Sequence, residues 1–171
     1  EEDARHALQN GLRVGPVYAI AGWALYHTES YDEARECFDR ALEDDGQDAH
    51  ALKGRALTLL ELEEHALARA DLTYAIQREP QDASLHALRA EVHLGLQDLE
   101  HARQDLERAH GLDPEDVDYA VGLARVVGAQ GDSAGALQIL SRATAGEEAI
   151  GLDALLLRSH LRLIAGQVDG A

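Results

Sequence analysis

Apolar residues recur along this chain at two nested periods. The short period is helical: Tyr18, Gly22 and Leu25 share one face of a segment, and Ala34, Phe38, Ala41 and Leu42 share one face of the next. Between them His27-Thr28-Glu29-Ser30 is polar and reads as a tight turn. Such a pair predicts two helices of roughly 12 to 14 residues, each about 20 Å long at ~1.5 Å per residue. The long period is 34 residues, and it sets Ala7, Ala41, Ala75, Ala109 and Ala143 in one column. Ala34, Ala68, Ala102 and Ala136 form a second column.

Each column has a physical task. Gly22, Ala56, Ala90 and Ala124 are small and let the two helices of a hairpin approach closely. Phe38, Leu72, Leu106 and Leu140 are large and fill the groove beside them. Asp48, Asp82 and Asp116 stand just before a first helix, where a carboxylate caps free amide groups and meets the positive helix end. Pro80 and Pro114 fall where a second helix must stop. The chain is therefore expected to be all-α, a solenoid of antiparallel helical hairpins.

The register divides the 171 residues. Residues 1–13 read as the second helix of a preceding repeat, since Ala7-Leu8 matches Ala41-Leu42. Full repeats are expected at 15–48, 49–82, 83–116 and 117–151, the fourth one residue longer than the rest. Residues 152–171 read as the first helix of a further repeat. A solenoid divided in this way lacks polar caps, so exposed apolar end faces, self-association and a longer array on both sides are expected.

Two further columns vary together. Arg55 and Arg89 occupy one, and Asp71 and Asp105 occupy another sixteen residues later. Where the arginine is absent the aspartate is absent too: Ala21 goes with Cys37, and Leu123 with Ile139. Paired presence and paired absence predict contact across the hairpin, through charge-assisted hydrogen bonds in two repeats and apolar packing in the others.

Composition agrees with helices and narrows the function. Apolar residues make up 46% of the chain but aromatics only 4%, so Ala and Leu supply the core rather than the β-branched and aromatic residues of sheets. The formal charge of -17 disfavours nucleic acid and anionic membrane surfaces, and is compatible with a basic partner. No apolar run is long enough to span a membrane. The lone Cys37 cannot build an internal disulfide and, in a packing column, reads as an inert buried thiol. The compartment stays open between cytoplasm and periplasm.

These columns resemble the tetratricopeptide repeat. Leu52, Ala56, Leu59, Ala68, Leu72, Ala75 and Pro80 match its pattern in one repeat, and His86, Ala90, His93, Ala102, Leu106, Ala109 and Pro114 in the next. Gly46 and Glu148 stand where the first and fourth repeats would carry proline. The resemblance spans essentially the whole chain. It implies a right-handed superhelix whose first helices line a concave groove for a peptide or partner segment.

No catalytic constellation is present, and a non-enzymatic protein with no cofactor and no metal is expected. Nine histidines include no His-Glu-x-x-His, and His86 and His93 stand in packing columns otherwise held by Tyr18, Leu25, Leu52 and Leu59. The acidic run 43–48 lacks the ligand spacing of a calcium loop. Gly128, Gly131 and Gly135 follow no strand and form no phosphate loop.

The groove face implied by the resemblance carries Ala19, Trp23, Tyr26 and His27, then His50, Lys53, Leu57 and Glu61. It continues through Ala87, Glu91 and Leu94, then Val121, Arg125 and Ala129, and ends on Leu156, His160 and Leu163. Trp23 is either a groove hot spot or an inter-repeat packing residue. Lys53 is the only lysine, and the arginine, lysine and asparagine set that grips chaperone C-terminal carboxylates in this family is missing: Ala19, Trp23, Leu88, Asp118 and Gly122 stand there. An extended or helical partner segment with an apolar anchor is expected to bind. The alternatives are a structural assembly module stacking on further repeats, and a regulatory part of an enzyme whose catalytic domain lies elsewhere.

Overall fold

The computed structural model describes residues 14–143 and 152–168, all of whose regular structure is helical. The elements are α1 (Gly15–His27), α2 (Tyr31–Asp44), α3 (Ala49–Glu61), α4 (His65–Arg78), α5 (Ala83–Gly95), α6 (Leu99–Leu112), α7 (Val117–Ala129), α8 (Ser133–Ala143) and α9 (Leu152–Val168). The expected half repeat at 1–13 and the loop containing Glu148 lie outside the described residues.

Local chemistry starts and stops these helices in register. Asp48 accepts hydrogen bonds from the His50 and Ala51 amides, Asp82 from Ser84 and Asp116 from Asp118, capping α3, α5 and α7. Each first helix ends in a left-handed cap: the Ser30, Glu64, Asp98 and Asp132 amides bond back to the carbonyls of Leu25, Leu59, His93 and Val127. The residue before each of these, Glu29, Glu63, Gln97 and Gly131, has positive φ, near 60° in the first three and 94° in the glycine. The loop at Gly46 takes the same two-residue turn as the loops at Pro80 and Pro114, so the missing proline leaves its course unchanged.

Every helix packs on its neighbours in sequence, and first helices also touch each other, α1 with α3, α3 with α5 and α7 with α9. Antiparallel hairpins stacked in this way make a right-handed α-α superhelix whose inner layer is the first helices. The small and large columns form the core: Ala56, Ala90, Ala124, Phe38, Leu72, Leu106 and Leu140 are buried. Phe38, the one ring in the large column, lies between two glycines. A Cβ on Gly22 would come within 2.8 Å of it, and a Cβ on Gly54 of the next repeat would overlap it too. The other repeats relax this arrangement by placing Leu in the large column and Ala in the small one.

Candidate functional site

The inner layer brings the groove residues onto one face and sorts them. At one end the Trp23 ring packs edge-on against Phe38 at 5.7 Å and tilts over His50 of the next repeat at 5.0 Å. Its indole N–H is buried with no acceptor. Trp23 thus packs between repeats, and like Tyr26 it is partly buried, while His27 and His50 are the exposed members of this aromatic end. Ala19, which the periodicity set on the groove face, is buried in the Phe38 cluster instead.

In the middle, Lys53 Nζ donates to Ser84 Oγ at 2.5 Å, so its cation ties α3 to α5. Leu57 and Leu94 are partly buried among core neighbours and present only an edge. Glu61 and Glu91 are exposed. Burial first, and then the carboxylates of Glu61 and Glu91 together with Tyr31, push the Tyr26 hydroxyl above its ordinary range. Burial is the main part of that shift; the acidity of this part of the face comes from the exposed Glu61 and Glu91 carboxylates themselves.

At the far end Asp118, Val121, Gly122, Arg125, Leu156, Leu157 and His160 line an open cleft of about 470 Å³ between α7 and α9. Arg125 and His160 are exposed, and Leu156 offers apolar surface beside them. The structure therefore separates the sequence-predicted residues into an aromatic end, an acidic middle and this cleft.

The paired columns meet. Arg55 Nε and Nη2 donate to Asp71 at 2.7 and 2.8 Å, and Arg89 makes the same bidentate pair with Asp105 at 2.8 and 2.7 Å. The third arm of each arginine reaches back one repeat, from Arg55 to Asp39 at 2.6 Å and from Arg89 to Thr73 at 3.4 Å. Each guanidinium therefore joins three helices. Its partners, led by Asp71, which accepts its hydrogen bonds, hold the Arg55 guanidinium in its charged form.

His86 and His93 are buried, yet neither is an apolar filler: both face Asp105, His86 Nδ1 at 3.5 Å and His93 Nε2 at 3.8 Å. The structure also brings together three groups that the sequence reading left apart. His93, Asp98 and His101 offer ligand atoms within 4.8 Å of one another at the turn between α5 and α6. The legible signal was Asp98-x-x-His101, with His93 in a leucine column. Cys37 is half-buried rather than fully buried, and burial pushes its thiol pKa up.

The chain matches the family model for the tetratricopeptide repeat at residues 2–49, 21–83, 53–117 and 88–151. No curated protein matches its sequence. Among solved structures it is similar to PilF of Pseudomonas aeruginosa, at 20% identity and TM-score 0.80 over 96% of this chain and 75% of that one. It is similar to YrrB, described as a TPR protein with an unusual peptide-binding site, at 19% identity and TM-score 0.78 over 97% and 84%. It is also similar to the first TPR of Spaghetti (RPAP3) bound to the HSP90 peptide SRMEEVD, at 24% identity and TM-score 0.67 over 69% and 94%.

Proposed function

The chain belongs to the tetratricopeptide repeat family, and on that premise we propose that it is a protein-interaction scaffold whose inner face binds a segment of a partner protein. The observation that carries the reading is the cleft between α7 and α9. Four of its lining residues, Val121, Arg125, Leu156 and His160, come from the face that the repeat register selects. Leu156 and Val121 supply an apolar seat, while Asp118, Arg125 and His160 offer polar groups around it. Similar structures described as peptide-bound or as having a peptide-binding site support the binding of a peptide segment by this fold.

The charge on the face selects the partner. Glu61 and Glu91 leave the middle negative, Lys53 is engaged by Ser84, and the whole chain carries -17. An acidic tail like the one held by the Spaghetti domain is disfavoured here. A segment with an apolar anchor and a basic residue next to it is favoured.

Selection from a random peptide library tests this. The recovered peptides are expected to pair an apolar residue with Lys or Arg, and to lose at least ten-fold in affinity for a Val121→Ser, Leu156→Ser variant, which removes the apolar seat without changing the charge. Glu61→Lys with Glu91→Lys should remove the basic preference. Peptides that bind both variants as they bind the original chain would overturn the reading.

A second reading, assembly through α1 and α9, is favoured by apolar exposure on both helices. Val17 and Ile20 are 65% and 71% exposed on α1, and Leu163 is 67% exposed on α9. Sedimentation over a concentration series should show association that Ile20→Glu abolishes. A monomer throughout would remove this reading.

A further inference from the structure

One turn of the solenoid differs from its three counterparts at two positions at once, on either side of a carboxylate. The column of His93 otherwise holds Leu25, Leu59 and Val127, and the column of His101 holds Glu33, Leu67 and Gly135. Asp98 stands where Ser30, Glu64 and Asp132 stand. A histidine in a leucine column has to bury two ring nitrogens. His93 is 6% exposed, and its Nδ1 is buried with no hydrogen-bond partner. Buried polar atoms without partners are rare and call for a reason.

The orphaned nitrogen points into a cluster. Asp98 Oδ2 lies 3.7 Å from His93 Nδ1 and 2.7 Å from His101 Nδ1. The two imidazoles stack with centroids 5.2 Å apart and planes 21° from parallel, so both Nδ1 atoms approach the same carboxylate oxygen. On its other side His93 Nε2 faces Asp105 Oδ2 at 3.8 Å, the carboxylate that Arg89 grips. With Nδ1 free, His93 turns its other nitrogen towards a fixed carboxylate, at 3.8 Å still short of the hydrogen bond that backs metal-binding histidines.

We propose that His93 Nδ1, Asp98 Oδ2 and His101 Nδ1 form a binding site for a divalent transition-metal ion of the zinc type. Two nitrogens and one oxygen suit zinc, cobalt or nickel, whereas calcium and magnesium take all-oxygen shells. Bonds of about 2.0–2.2 Å set tetrahedral ligand atoms roughly 3.3 Å apart, and the observed 2.7 and 3.7 Å separations bracket that spacing. His101 is exposed and can swing to close the shell, leaving the fourth position to water. The ion would tie the last turn of α5 to the first turn of α6, across the strained Gln97.

Calorimetric titration of the full chain with Zn²⁺, paired with Co²⁺ absorption spectroscopy, tests the site. One equivalent should bind, and the Co²⁺ complex should show the strong visible bands of a four-coordinate ion. Asp98→Asn keeps an acceptor for the His101 amide but loses the charge, and is expected to weaken binding at least ten-fold. His101→Ala should do the same, while His50→Ala on the inner face should change nothing. Circular dichroism verifies that each variant is folded. Absence of saturable one-equivalent binding, undiminished binding by Asp98→Asn or His101→Ala, or an equal loss in His50→Ala would each overturn the proposal.

Discussion

Removing Asp105 while leaving Arg89 in place is the most informative perturbation of this fold. Asp105 is 6% exposed and accepts two charge-assisted hydrogen bonds from Arg89, at 2.7 and 2.8 Å. Without it the guanidinium keeps one weak contact, Thr73 Oγ1 at 3.4 Å. Breaking a fully buried ion pair from one side costs about 3–5 kcal/mol. The Arg89 side chain is 21% exposed, so water reaches part of the stranded charge, and the expected loss for Asp105→Ala is about 2–3 kcal/mol. Asp71→Ala should cost less, about 1–2 kcal/mol, because Arg55 keeps Asp39 at 2.6 Å. The double change Arg89→Leu, Asp105→Ile copies Leu123 and Ile139, which pack into the core of the fourth repeat. It should fall within ~1 kcal/mol of the original, since no charge is left buried. Repeat arrays open segment by segment, so urea unfolding is best paired with hydrogen exchange of the α5 and α6 amides. A cost for Asp105→Ala below about 0.5 kcal/mol, or a double variant as unstable as the single one, would refute the reasoning.

Gly54→Ala should destabilise by about 1–3 kcal/mol, because its Cβ would overlap the Phe38 ring. Adding Phe38→Leu should restore much of that loss, and Trp23 fluorescence follows both, since Trp23 packs on Phe38. Glu63→Gly should stabilise by about 0.5–1 kcal/mol in thermal unfolding, by relieving a left-handed backbone. At Asp82, burial raises the carboxyl pKa but hydrogen bonds from Ser84 and the Lys53 charge outweigh it, leaving the folded value below the unfolded one. Its contribution is complete above the unfolded value of about 3.9 and is lost as pH falls through the folded value. Asp82→Asn keeps the cap, and should flatten the acid limb of stability measured between about pH 4 and 2.

Much of this was legible without coordinates because the repeat makes the chain its own comparison. Positions 34 residues apart share an environment, so the co-occurrence of Arg55 with Asp71 and Arg89 with Asp105 reported a contact directly. The columns marked Gly22 as small and Phe38 as large, but their contact, and that of Phe38 with Gly54, came only from the structure. The groove was less legible. Periodicity names the residues on a face but not how far each is covered by the next repeat. Ala19 was therefore misplaced, and Lys53 could not be seen to end on Ser84. The histidines were read by column, as packing residues. That accounted for the burial of His86 and His93 but not for the carboxylates they face.

What the sequence determined by itself was the helical hairpin, its 34-residue register, its aspartate caps and its staples. All of these arise within one hairpin or between identical neighbours, where local spacing and repetition suffice. Tertiary structure alone decided which inner-face groups remain reachable, that a cleft opens between α7 and α9, and that His93, Asp98 and His101 converge on one oxygen. The reason is physical. Those outcomes depend on the angle at which one hairpin stacks on the next, and on a left-handed turn that folds His101 back towards His93. Neither is encoded in the spacing of apolar residues.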